Sequence, residues 1–184
     1  AGEWIEITNI SNNNISLNGL IIRDDGGEEH IISDENLVVI PGHFIIMGVN
    51  DNPTENGGVS VDYVYNGLTL SNLWDEVILE HPSGVILDEV HYDNGATFPD
   101  EEGASMMLLA PTLNNSLGEN WAVADIVFSS GDFGTPGEAN YSSNCGSGDI
   151  NSDGILNVLD LVALVNCVLN ANCDYCIGDM NADY

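Results

Sequence analysis

Between residues 149 and 160 the chain reads Asp149-Ile150-Asn151-Ser152-Asp153-Gly154-Ile155-Leu156-Asn157-Val158-Leu159-Asp160. Side-chain oxygens therefore fall at the first, third, fifth, ninth and twelfth of twelve positions, with Gly154 at the sixth for a sharp turn. A hard divalent cation needs six or more oxygens converging at about 2.3–2.6 Å, and one short loop of this spacing can supply them. Asp149, Asn151, Asp153, Asn157 and Asp160 would give side-chain oxygens, and Ile155 its backbone carbonyl. Ca2+ is the cofactor this pattern implies.

A second run, Gly178-Asp179-Met180-Asn181-Ala182-Asp183, repeats the start of the first and offers Asp179, Asn181 and Asp183 at positions one, three and five. Three ligands make a poor calcium site. Completion by a neighbouring chain, by water or by further sequence is expected, with a solvated acidic tail as the alternative.

The apolar stretch after the first loop reads as one helix over 157–169. No entering helix precedes the loop, because 141–148 is rich in Ser, Asn and Gly. A loop followed by a helix, with Asp160 where an EF-hand carries Glu, resembles a type I dockerin half-repeat. The resemblance places Val158 and Leu159 where dockerins contact a cohesin partner.

Composition limits the possible partners. One Lys-or-Arg stands against 30 Asp-plus-Glu in 184 residues, a formal charge of −29, while 43% of residues are apolar. Enough apolar surface exists to fold, and the field repels phosphates and anionic lipid. Nucleic acid and membrane insertion are not expected, and no run of 18 apolar residues occurs. With Arg23 the sole permanent side-chain cation, ion pairs within the chain are expected to be nearly absent. Cys145, Cys167, Cys173 and Cys176 cluster in the tail, which favours disulfides and an extracellular setting. Their pairing stays open among three possibilities.

Positioning such a tail falls to residues 1–140. Short apolar or alternating runs at 4–7, 20–22, 30–32, 37–40, 44–49, 63–65, 68–70, 76–80, 85–92, 104–109 and 121–124 are separated by Gly, Asn, Asp and Pro turns. That rhythm predicts an all-β sandwich. Trp4 and Trp121 fall in expected strands and Trp74 just before one, and all three read as core anchors.

Several motifs in order carry a second resemblance. They are Glu3-Trp4-Ile5-Glu6-Ile7-Thr8-Asn9, Leu17-Asn18-Gly19-Leu20-Ile21-Ile22-Arg23-Asp24-Asp25, Leu73-Trp74-Asp75-Glu76-Val77-Ile78-Leu79, Gly84-Val85-Ile86-Leu87-Asp88-Glu89-Val90-His91-Tyr92, Gly103-Ala104-Ser105-Met106 and Gly134-Thr135-Pro136-Gly137-Glu138-Ala139-Asn140. Over about 3–140 the chain resembles bacterial lamin-tail domains. The resemblance implies an immunoglobulin-like β-sandwich, an accessory or adhesion role and no catalytic residues. The family's usual first strand is not among these residues, so a strand lent by another chain is expected at the open edge.

The organisation expected is thus a sandwich over 1–140, a linker over 141–148 and a dockerin-like segment over 149–184. Expected partners are other copies of the chain, as a filament, or a cohesin-like protein. Adjacent carboxylates such as Asp24/Asp25, Asp75/Glu76 and Asp88/Glu89, and His30, His43, His81 and His91, are general acid–base candidates. In so acidic a chain they read first as solvated turns and strand ends, and no nucleophile or zinc-hydrolase motif accompanies them. Asn9, Asn14, Asn114 and Asn140 each begin an Asn-x-Ser pattern open to glycosylation.

Overall fold

The structure is a computed structural model that describes residues 3–128, 131–140 and 157–170. It is mostly β. The strands are β1 (Trp4–Thr8), β2 (Ile15–Ser16), β3 (Ile21–Arg23), β4 (Glu29–Ile31), β5 (Val38–Val39), β6 (Phe44–Gly48), β7 (Tyr63–Val64), β8 (Trp74–His81), β9 (Val85–Asp93), β10 (Met106–Leu108), β11 (Trp121–Val123), β12 (Val127–Phe128) and β13 (Asp132–Phe133). A short 3-10 turn (Gly118–Asn120) and one helix, α1 (Val158–Asn170), complete the described elements.

Two sheets carry most of the pairing. One has the order β1-β6-β7, with β6 and β7 parallel, and the other the order β4-β3-β8-β9, antiparallel throughout. Period-two alternation decides which side chains turn inward. Ile5 and Ile7 of β1 stand opposite Met47 and Ile45 of β6, and this face packs on the same apolar cluster as Ile22, Val77 and Leu79 of the second sheet. Leu17, Val39, Tyr65 and Leu68 fill the space between, each at most 2% exposed.

Polar groups drawn into this core are paired. Asn9 is 2% exposed; its amide donates to the carbonyls of Asn13 (2.7 Å) and Val39 (2.8 Å) and its oxygen accepts from Ser11 N–H (2.9 Å). A glycan at Asn9, left open by the sequence, would have to displace those bonds, so the folded state contradicts it. Asn56 plays the same part in the loop between β6 and β7, donating to the carbonyls of Asn50 and Val59 and accepting from Gly58 and Val59 N–H.

The strand expected at 68–70 is not formed, although Leu68 is buried. Two carboxylates take the place of a neighbouring strand: Thr69 N–H donates to Glu28 (2.8 Å) and Leu70 N–H to Glu3 (3.1 Å). Conversely β2, β12 and β13, of two residues each, were not among the expected strands; β2 and β13 have no apolar run, and β12 has only the three residues Ile126-Val127-Phe128. Trp121 packs on Phe98 with ring centroids 6.2 Å apart and donates Nε1–H to the Asn115 carbonyl (2.8 Å). Trp74 instead is 66% exposed at the start of β8, which corrects its assignment as a core anchor. Among the described residues the ion pairs of a permanent cation are those of Arg23 alone, its Nε donating to Glu80 at 2.7 Å and its Nη1 to Asp25 at 3.2 Å, so that it joins β3 to β8.

Two positions test the packing. Gly118 is buried, and a Cβ there would press on the Thr97 carbonyl and lie 2.9 Å from Phe98 N. Gly118→Ala should therefore lower unfolding free energy by about 1–3 kcal/mol in a denaturant titration. Glu6, on β1, has Gly137 N–H as a polar partner at 2.8 Å, and burial pushes its carboxyl from an ordinary 4.5 up to about 7, the hydrogen bond offsetting part of the rise. Between those values the folded chain keeps a proton that the unfolded chain has lost. Stability from this group is thus greatest below about 4.5 and falls as pH rises to about 7, by on the order of 3 kcal/mol. Glu6→Gln should remove that part of the decline when denaturant midpoints are compared at pH 5 and pH 8.

Candidate metal centre

The described part of the acidic loop is its end, where the loop becomes α1. Asn157 caps the helix: its Oδ1 accepts from Leu159 N–H (2.8 Å), as an N-cap side chain does for the first turn. Asp160 answers from three residues on, its Oδ2 accepting from Asn157 N–H (2.7 Å), while Asp160 N–H donates to the Asn157 carbonyl (3.2 Å). This is the reciprocal arrangement of a capping box, with Asp in place of Glu or Gln at N3. The helix thus begins at Val158, one residue beyond the expected start, because Asn157 serves as the cap.

Asp160 is only 3% exposed. A carboxylate so placed needs compensation, and the amide end of the helix supplies part of it through Asn157 N–H and the positive end of the macrodipole. The ninth and twelfth loop positions are therefore drawn together at one turn, both turned toward the loop's end. Asp149, Asn151, Asp153 and Ile155 of the first loop, and Asp179, Asn181 and Asp183 of the second, lie outside the described residues. So do the linker at 141–148, Cys145, Cys173, Cys176 and the side chain of Cys167.

The helix itself presents an apolar face. Val158, Leu161, Val162, Val165 and Leu169 are 67, 58, 51, 49 and 77% exposed. At 100° per residue they share a stripe about 100° wide. Leu159, at 56%, flanks it.

Among the histidines, His81 and Ser83 form a close pair, Nδ1 to Oγ 2.8 Å, but Ser83 N–H also donates to that nitrogen at 3.1 Å. The contact closes the β8–β9 turn. Residues that the sequence left scattered do converge elsewhere: Asp25, Glu76 and His91 offer ligand atoms that all lie within 4.8 Å of one another.

No family model, curated protein or solved structure matches the chain.

Asp160→Ala removes one member of the capping box, and the start of α1 should fray. The helical circular dichroism signal should fall, and the helix should lose about 0.5–2 kcal/mol, as for a lost cap. Asp160→Glu, which keeps the carboxylate and lengthens its reach, should retain most of the signal.

Proposed function

We propose that this is a secreted, non-enzymatic structural or assembly protein, stabilised by Ca2+ and joined to other subunits outside the cell. The observation that carries the reading is the apolar stripe of α1, which begins at the tenth position of the oxygen-rich loop. An ion held by Asp149, Asn151, Asp153, Ile155, Asn157 and Asp160 would fix the loop. Because Asn157 and Asp160 also cap α1, the same ion would fix the direction in which the stripe points. Calcium then acts as a joint for assembly rather than as a signal to be sensed.

The β-rich body supports the lamin-tail-like, immunoglobulin-like sandwich part of the reading, since its two larger sheets share one apolar cluster. Among the described residues β1 pairs with β6 alone, so its other edge can accept a strand from a second copy. Contacts of that head-to-tail kind give open filaments when the rotation does not close.

A second reading, an anchoring module of a larger secreted enzyme, has its own support. Val158 and Leu159 are both more than half exposed at the positions where a dockerin meets a cohesin-like receptor.

Sedimentation velocity and negative-stain imaging of the purified chain separate the two. Assembly in Ca2+ that reverts to monomer with chelator, and that Val165→Asp abolishes, is the result expected of the first. A monomer under both conditions, with Val158 and Leu159 needed only to bind a cohesin-like protein, would favour the second.

A further inference from the structure

The four-stranded sheet brings together a set of donors that has no part in the calcium loop. Glu76 on β8 and His91 on β9 are directly opposed in the ladder. Arg23 of β3 stands opposite Ile78, so Asp25, two residues on, continues that register to stand beside Glu76. The contact is closed by Asp25 N–H, 3.4 Å from Glu76 Oε2. Two adjacent strands and the bend that follows β3 thus place two carboxylates and an imidazole in one row, with all three ligand atoms inside 4.8 Å.

We propose that Asp25, Glu76 and His91 form a site for a divalent transition-type ion such as Zn2+, separate from the calcium loop. The choice of ion follows from the donors. An imidazole nitrogen is a poor ligand for Ca2+ and a good one for Zn2+ and its neighbours, and two carboxylates with one imidazole make a neutralising, three-residue set. Donors around a tetrahedral Zn2+ stand roughly 3.3–3.6 Å apart on its ordinary bond lengths. The row therefore needs to close by about 1 Å, within reach of side-chain rotation at an exposed Asp25 and His91 and a half-buried Glu76. A fourth position faces solvent.

The surroundings favour a cation. Asp25, Glu76, Glu80 and Glu89 contribute four carboxylates, against one guanidinium from Arg23. With His91 neutral the patch carries a net charge of −3. Arg23 is divided between Glu80 and Asp25 and does not reach the His91 end of the row in any ion pair. Glu89, two residues before His91 on the same side of β9, holds His91 Nε2 at 3.4 Å and can orient the ring, as carboxylates beside metal-bound histidines do.

The row exists only because β9 carries a bulge. Next to the turn, His81 pairs with Val85 and Glu80 with Ile86, but Leu79 pairs with Asp88, leaving Leu87 as an extra residue. Without that slip, Glu76 would oppose Val90 and His91 would turn to the other face.

The test is titration of the full, oxidised chain with Zn2+ in about 0.15 M salt and millimolar Ca2+, which screens diffuse binding and occupies calcium loops. Calorimetry should find a saturable Zn2+ site, and the ring resonances of His91 should shift in NMR while those of His81 and His43 stay in place. His91→Ala and Glu76→Gln should each weaken that site by roughly tenfold or more, with the thermal midpoint without zinc unchanged, whereas His81→Ala should leave it intact. Zn2+ binding of wild-type strength in both His91→Ala and Glu76→Gln, or no saturable binding below about 1 mM, would overturn the proposal. Chelator-resistant assembly would count against the calcium reading and leave this site untouched.

Discussion

Thirty carboxylates and one arginine set the terms on which this chain folds. Ion pairing can neutralise very few of them, so the structure uses backbone amides as its positive charges. Asp24 accepts from Gly27 and Glu28 N–H, Asp62 from Ile46, Asp75 from Ser71 and Glu76, and Asp93 from Thr97 and Phe98. The bonds around Asp93 hold its carboxyl below the ordinary range. Each such bond joins a loop to itself or to a sheet, so the groups that most oppose compaction also fasten the loops. Glu3 does this across a long span, accepting from Tyr65 Oη–H and Leu70 N–H, and Glu6 across a longer one, accepting from Gly137 N–H.

The same economy explains where cations would matter. Amides are plentiful at turns and at helix starts, and scarce on the open face of an antiparallel sheet, where they are spent on the ladder. At the start of α1, Asp160 has an amide to accept from. On the four-stranded sheet, Glu76 and Asp25 have little beyond each other, one end of Arg23 and the imidazole of His91. Calcium at the loop and a transition-type ion on the sheet, as proposed, would be answers to one electrostatic problem, posed in an oxygen-only setting and in a mixed one.

Much of the β framework was legible because period-two alternation and glycine-rich turns are local signals. Residues 4–7, 44–49 and 85–92 became β1, β6 and β9 with shifts of a residue at their ends, and Asn94-Gly95 forms its turn with both residues at positive φ, as the pair allows. What was not legible depends on contacts distant in sequence. Leu68–Leu70 has the pattern of a strand, but the carboxylates that satisfy it come from Glu3 and Glu28. Trp74 stands in a true strand, yet at an end where nothing covers it. His91 lies seven residues beyond Gly84, the last residue of the β8–β9 turn, and its face was set by a one-residue bulge that no periodicity announces. Of the residues expected as loop ligands, Asn157 and Asp160 were legible as the helix start, because capping, like calcium coordination, asks for short oxygen-bearing side chains.

Site binding by calcium and simple screening of a −29 chain make opposite statements about ionic strength. A Ca2+ titration at constant ionic strength, followed by the far-ultraviolet helix signal of the full chain, separates them. Specific neutralisation of the loop predicts a saturable gain in helix that Mg2+ or Na+ at equal ionic strength does not reproduce and that Asp153→Ala abolishes. A helix signal indifferent to Ca2+, or one that follows ionic strength alone whatever the cation, would contradict it.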